Sequence, residues 1–211
     1  MDFVQFFYYG VKNRGYSMSS YVLYLSSALC FLTLYFCRQI KSSLMEVFSI
    51  IIPVYNRPEE IDDLLNSLTR QTYVHFEVIV VDDGSSIPCE PIVNAYNNRL
   101  RIRYFYIENS GPGLARNQGV RYAEGEIVIV LDSDCIVPAS YLEQVHESLM
   151  RYKVDAFGGA DRAHSSFSAI QKAVNYSMTS FFTTGGIRGS RRHLDAFYPR
   201  SFNMGMRKEV Y

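Results

Sequence analysis

Three uninterrupted apolar runs in the middle of this chain end on polar side chains at the points where a buried strand would leave a sheet. VFSIIIP (Val47 to Pro53) runs into Tyr55 and Asn56, EVIVV (Glu77 to Val81) into Asp82 and Asp83, and EIVIVL into Asp132 and Asp134. Continuous rather than alternating apolar residues are the signature of strands covered on both faces, as in parallel sheets. The intervening segments have helical spacing. Ile61, Leu64, Leu65 and Leu68 fall at i, i+3, i+4 and i+7 behind Pro58, Glu59 and Glu60, with Asn56 expected as the cap. Leu100 to Ile107 is expected to form a further strand and GPGLARNQGVRYAEG a turn and short helix. Leu142, Val145 and Leu149 mark another helix, and Ala156 to Gly159 another strand. Strand and helix alternating in this way predict an α/β fold: a mainly parallel sheet with helices on both faces, joined by right-handed crossovers. In such sheets ligands bind at the carboxyl ends of the strands, where these polar residues converge.

Charge and cysteine usage narrow the chemistry at that edge. Lys plus Arg (21) cancels Asp plus Glu (21), which removes the footprint of a general nucleic-acid binder and requires any anionic ligand to be held locally. Cys30, Cys37, Cys89 and Cys135 form no Cys-x-x-Cys pair, and the histidines are scattered at 75, 146, 164 and 193. Neither a zinc site nor a disulfide scaffold is expected, and the thiols are expected to be reduced. Asp132 and Asp134, one residue apart at the end of a buried strand, would repel each other unless a cation lay between them. A pair of hard carboxylate oxygens favours Mg2+ or Mn2+.

The first 44 residues differ from the rest. Gly15 to Cys37 carries no charge, and Tyr21 to Cys37 reads YVLYLSSALCFLTLYFC, close to the roughly 20 residues that a membrane helix needs. Tyr16, Tyr21, Tyr24, Tyr35 and Phe36 suit interfacial belts, and Lys12, Arg14, Arg38 and Lys41 flank the run. Residues 1–44 are therefore expected to form an apolar helical segment, a candidate membrane anchor, ahead of a catalytic body at 45–211. The competing expectation is a start at Met45, immediately before the first core strand.

The segments SIIIPVYNRPEE, VIVVDDGSS and GPGLARNQGVRYAEGEIVIVLDSDCIVP, in this order, resemble family 2 glycosyltransferases of the GT-A fold, whose nucleotide-binding half is Rossmann-like. FNMGMRKEVY resembles the acceptor-side stretch of that family. The resemblance implies transfer of a sugar with inversion from a nucleotide-diphosphate-sugar donor to a hydroxyl acceptor, a glycan or a lipid-linked one. It implies that Tyr55 lies against the nucleobase and Asp83 bonds the base edge. Pro53, Asn56, Arg116, Asp132 and Ser133 complete the donor site, with Asp132 toward the ribose and Asp134, joined by Asp132, at the metal. Arg116 either neutralises diphosphate or ties Asp82 and its turn in place; Asn117 is expected to be structural. The excess of cations at Arg188, Arg191, Arg192 and Arg200 is either a solvated loop or a lid over phosphate.

The family's general base follows the acceptor stretch, so a chain ending at Tyr211 is expected to be incomplete at its C-terminus. Asp161 is the remaining candidate for a catalytic carboxylate, in competition with a role in positioning substrate or none. A non-catalytic remnant that binds nucleotide sugar is the alternative function. A Rossmann dinucleotide domain is suggested by Gly111-x-Gly113, but its third glycine position holds Arg116 and it gives Asp83 and Asp134 no task. The expected location is the cytoplasmic face of a membrane, or the cytoplasm if the N-terminal segment is no anchor.

Overall fold

The computed structural model describes residues 6–9, 48–159, 168–180 and 203–211. In chain order these form β1 (Phe6–Tyr9), β2 (Phe48–Val54), α1 (Pro58–Leu68), β3 (Phe76–Asp83), α2 (Glu90–Asn94), β4 (Ile102–Ile107), α3 (Pro112–Tyr122), β5 (Ile127–Val130), α4 (Tyr141–Tyr152), β6 (Ala156–Gly159), α5 (Ala169–Thr179) and β7 (Met204–Arg207). They make one seven-stranded sheet of order β1-β6-β7-β5-β2-β3-β4. Its functional half is the parallel set β5-β2-β3-β4, in which Ile50 lies between Val78 and Ile129. β7, β6 and β1 extend it as an antiparallel flank, β7 pairing with β5 through Ile127↔Arg207 to Val130↔Met204.

The two-residue period of the strands sends neighbouring side chains to opposite faces, and both faces are covered. Ile50, Ile52, Val78, Val80 and Ile129 pack with Ile61, Leu64, Leu65 and Leu68 of α1, Val93 of α2, and Leu142, Val145 and Leu149 of α4. On the other face Ile51, Ile79, Val81, Val128 and Val130 meet Ala115 and Val120 of α3. α3 approaches closely because it has Gly119 there: a Cβ on that residue would lie 2.3 Å from Ile51 Cγ2.

Several boundaries differ from the sequence expectation. Asn56 does not cap α1; the N-cap position is Arg57, with no side-chain cap, and Asn56 has φ 52°. Its side chain is used elsewhere, accepting a 2.8 Å bond from the Ser86 N–H. α3 opens at Pro112, ahead of Gly113, and the five-residue α2 was too short to show periodicity. Residues 6–9 of the apolar N-terminal segment contribute a sheet strand, antiparallel to β6. The expected apolar helix near residues 18–38, Asp161, and the arginines at 188, 191, 192 and 200 lie outside the described residues. Among the described residues no helix is long and apolar enough to cross a membrane.

Candidate functional site

At the carboxyl ends of β2, β3 and β5 lies an open cleft of about 530 Å³. Pro53 and Tyr55 line it from the end of β2, Asp83 from β3, Arg116 from α3, and Asp132, Ser133 and Asp134 from the segment after β5. Seven of the eight donor- and metal-site residues expected from sequence thus share one cavity. Asn56, the eighth, is not in its lining.

The adjacent aspartates of β3 face opposite sides of the sheet and do different things. Asp82 is fully buried; it accepts hydrogen bonds from the Ser85 N–H (2.9 Å), the Cys89 N–H (3.2 Å) and the Tyr104 hydroxyl (2.8 Å). Burial by itself would raise its pKa, but these donors outweigh it and hold the carboxyl below its ordinary value. Burial first, and then the charge of Asp82 beside it, push the Cys89 thiol up to about 12, so this free cysteine is held as an inert thiol. Asp83 accepts from Ser110 N–H (2.8 Å) and Oγ–H (3.2 Å) with one oxygen and from Gly111 N–H (2.9 Å) with the other. Its carboxylate therefore fixes the turn that opens α3 while forming part of the cleft wall. Gly84 (φ 78°) is needed between them, since a Cβ there would sit 2.7 Å from Asn109 N.

Tyr55 presents a half-exposed ring to the cleft, and the residue after it fastens the loop. The Asn56 N–H donates to Ser85 Oγ at 2.8 Å, while Asn56 Oδ1 receives the Ser86 N–H, so the loops after β2 and β3 are clasped together. Asn56 consequently acts on the cleft by positioning its neighbours.

The two arginines of the cleft determine its electrostatics. Arg116 Nη2 donates to Asp132 Oδ1 at 3.0 Å, and Arg57 Nη1 to Asp134 Oδ2 at 2.5 Å. This corrects the expected tie between Arg116 and Asp82. Arg116 ties Asp132 and not Asp82, which is occupied by Ser85, Cys89 and Tyr104; and the Asp132/Asp134 pair is relieved of mutual repulsion by one guanidinium each. Asn117 accepts from the Tyr211 hydroxyl at 2.6 Å. Arg57 is the residue that sequence reasoning missed. Its only local signal is a cation directly after Tyr55 and Asn56, and nothing in the sequence links it to a carboxylate 77 positions away.

Among the described residues no group of three or more His, Cys, Asp and Glu side chains is assembled to hold a metal. The donor set nonetheless fits a hard cation that takes its remaining ligands from a phosphate. Asp83, Asp132 and Asp134 against Arg57 and Arg116 leave the cleft with one net negative charge, which an incoming diphosphate would deepen.

The family model for glycosyl transferase family 2 matches residues 49–211, more than half of the chain. Poly(ribitol-phosphate) beta-N-acetylglucosaminyltransferase TarS of Staphylococcus aureus (strain Mu50) is 35% identical over 134 residues, covering 58% of this chain and 23% of that protein. Validoxylamine A glucosyltransferase of Streptomyces hygroscopicus subsp. jinggangensis is 37% identical over 108 residues, covering 49% of this chain and 26% of that protein. The chain thus spans about a quarter of the length of these relatives. Among solved structures, S. aureus TarS 1-349 in complex with UDP-GlcNAc superposes with a TM-score of 0.50 at 38% identity, over 52% of this chain and 32% of that one.

Proposed function

The chain belongs to glycosyl transferase family 2, and from that premise we propose that its cleft holds a nucleoside-diphosphate sugar and that its residues serve transfer of the sugar, with inversion, to a hydroxyl of a glycan or lipid-linked acceptor. The observation that carries the proposal is the convergence of Tyr55, Asp83, Arg116, Asp132 and Asp134 on one cleft at the strand ends. The named complex of TarS with UDP-GlcNAc supports a uridine nucleotide as the donor to try first.

In this reading each residue type has a task. The exposed Tyr55 ring is a stacking face for the base, and Asp83, at the base end, is held rigid by Ser110 and Gly111. The diphosphate lies beside Asp132 and Asp134, on the side of the cleft where α3 presents Arg116. Asp132 and Asp134 hold Mg2+ or Mn2+, which when bound stabilises the negative charge that develops on the departing nucleoside diphosphate. Arg116, fixed beside Asp132, keeps that carboxylate oriented. An acceptor hydroxyl attacking from the opposite side of the sugar needs a carboxylate base, and Asp161 is the candidate to test for it. Residues near 18–38 are proposed to hold this body at the cytoplasmic face of a membrane.

Isothermal titration of UDP in the presence of Mn2+, and again after chelation, tests the donor site. Binding should weaken at least about tenfold on chelation and in Asp134→Ala, as expected for the loss of a charge-assisted contact. Affinity unchanged in both cases would eliminate the metal assignment. Carbonate-resistant pelleting of the full chain, but not of a chain starting at Met45, would establish the anchor, and equal solubility of the two would remove it.

A further inference from the structure

We propose that Arg57 is a latch on Asp134 that makes the cation and the diphosphate bind together, each poorly without the other; the proposal rests on the reading of Asp134 as a metal ligand. Arg57 Nη1 lies 2.5 Å from Asp134 Oδ2, so the carboxylate that would bind a cation already has a positive partner. The two side chains are 48% and 51% exposed, so neither is immobilised by packing. The second pair of the cleft is different: Arg116 is only 17% exposed and is carried on a regular helix. Of the two guanidiniums, Arg57 is the one free to move.

The consequences follow from charge. A cation arriving alone is repelled by the guanidinium on Asp134, and binding it weakens that ion pair with nothing to receive Arg57. A diphosphate arriving alone meets Asp134 and finds Arg57 already engaged. Arriving together, the cation takes Asp134 while the released guanidinium, whose planar fork suits phosphate oxygens, turns to the diphosphate within the same cleft. One exchange of partners satisfies all four groups, and the coupling is reciprocal by linkage. Arg57 also stands at the N-cap position of α1 without making a side-chain cap, so helix formation does not compete for it.

The experiment measures Mn2+ alone, by the free-ion electron paramagnetic resonance signal, and UDP at saturating Mn2+, by calorimetry, on the full chain and on Arg57→Ala, Arg57→Lys and Asp134→Asn. In Arg57→Ala, Mn2+ alone should bind about fivefold more tightly, the upper range for release of an exposed ion pair. UDP at saturating Mn2+ should bind about tenfold more weakly, through loss of a charged phosphate contact. Arg57→Lys should fall between, keeping the charge without the fork. In the Asp134→Asn background the effect of Arg57→Ala on Mn2+ should vanish. If Mn2+ affinity depends on Asp134 but is unchanged or weakened by Arg57→Ala, the latch is overturned and the metal site stands. If Mn2+ fails to bind even in Arg57→Ala and leaves UDP affinity unchanged, or binds indifferently to Asp134→Asn, the metal reading itself falls and the latch with it.

Discussion

Asp82 and Asp83 are identical in type and adjacent in sequence, yet the pleat of β3 gives one to the core and the other to the cleft. Asp82, buried and bonded to three donors, holds the loop from Ser85 to Cys89 under Tyr104. Asp82→Asn replaces an acceptor oxygen by an amide that faces those donors, and should lower unfolding free energy by about 2 kcal/mol in urea titration. A loss below about 0.5 kcal/mol would show that the loop does not depend on the carboxylate. At this scale the sequence revealed residue types and their strand-end positions, so Tyr55, Asp83, Arg116, Asp132 and Asp134 could all be named before their cleft was seen. It could not reveal partners. The pairs Arg57–Asp134 and Arg116–Asp132 join residues on separate elements, and such counter-ions are brought to Asp132 and Asp134 only by the fold. Asn56 misled for a related reason: a side chain able to cap α1 instead meets the Ser86 N–H, which only tertiary folding brings near.

Elements carry the cleft because their packing fixes their ends, and α3 is the sharpest case. Its Gly119 lies on Ile51, with room for no Cβ, whereas a Cβ at Gly113 would meet nothing within 4 Å. Gly119→Val should therefore cost about 1–3 kcal/mol by overpacking and, by displacing the helix that bears Arg116, should weaken UDP binding as well. Gly113→Ala should leave the melting temperature unchanged or slightly raised, because alanine is the better helix former. Equal melting temperatures for Gly119→Val and the parent chain would disprove the close approach. Elements with strong periodicity were legible: β2, β3 and β5 are uninterrupted apolar runs, and α1 has a clean i, i+3, i+4, i+7 stripe. Of the antiparallel flank, β6 was legible at Ala156 to Gly159 and β7 was not. Met204–Arg207 is four residues with a glycine beneath the Phe157 ring, and its strand character comes from the neighbours β5 and β6. α2 is five residues long, too short for a period to register.

Across the whole molecule, β3 carries a buried carboxylate near each end, and the two ends serve different purposes. Opposite the cleft, Glu77 accepts from Ser49 Oγ–H (2.6 Å), the Glu124 N–H (2.6 Å) and Arg103 Nη2 (2.7 Å), while the Gly125 N–H donates to Ser49 Oγ (2.9 Å). Arg103 also donates to the Tyr122 carbonyl, so this network ties the C-terminal end of α3 to the start of β2 and β3. Asp83 ties the other end of α3, through Gly111, to the end of β3. The helix that presents Arg116 is thus held at both ends by carboxylates of one strand. Burial alone would raise the Glu77 pKa, but the bonds from Ser49 and Glu124 and the charge of Arg103 outweigh it and hold the group below its ordinary 4.5. A carboxyl depressed in the folded state stabilises above its unfolded pKa, and that contribution is lost as pH falls through the folded one. Glu77→Gln should therefore be about 2 kcal/mol less stable than the parent chain at pH 7, where an ionised buried acceptor has been removed. Between pH 7 and 5 the gap should hold constant. Below about pH 4.5 it should narrow, first as Glu77 of the unfolded parent takes up a proton and finally as pH falls through the lower folded-state pKa. Urea unfolding of both chains at pH 7, 5, 4 and 3 measures this directly. A gap that stays the same down to pH 3 would mean that the network holds α3 through hydrogen-bond geometry alone, with no contribution from the charge on Glu77.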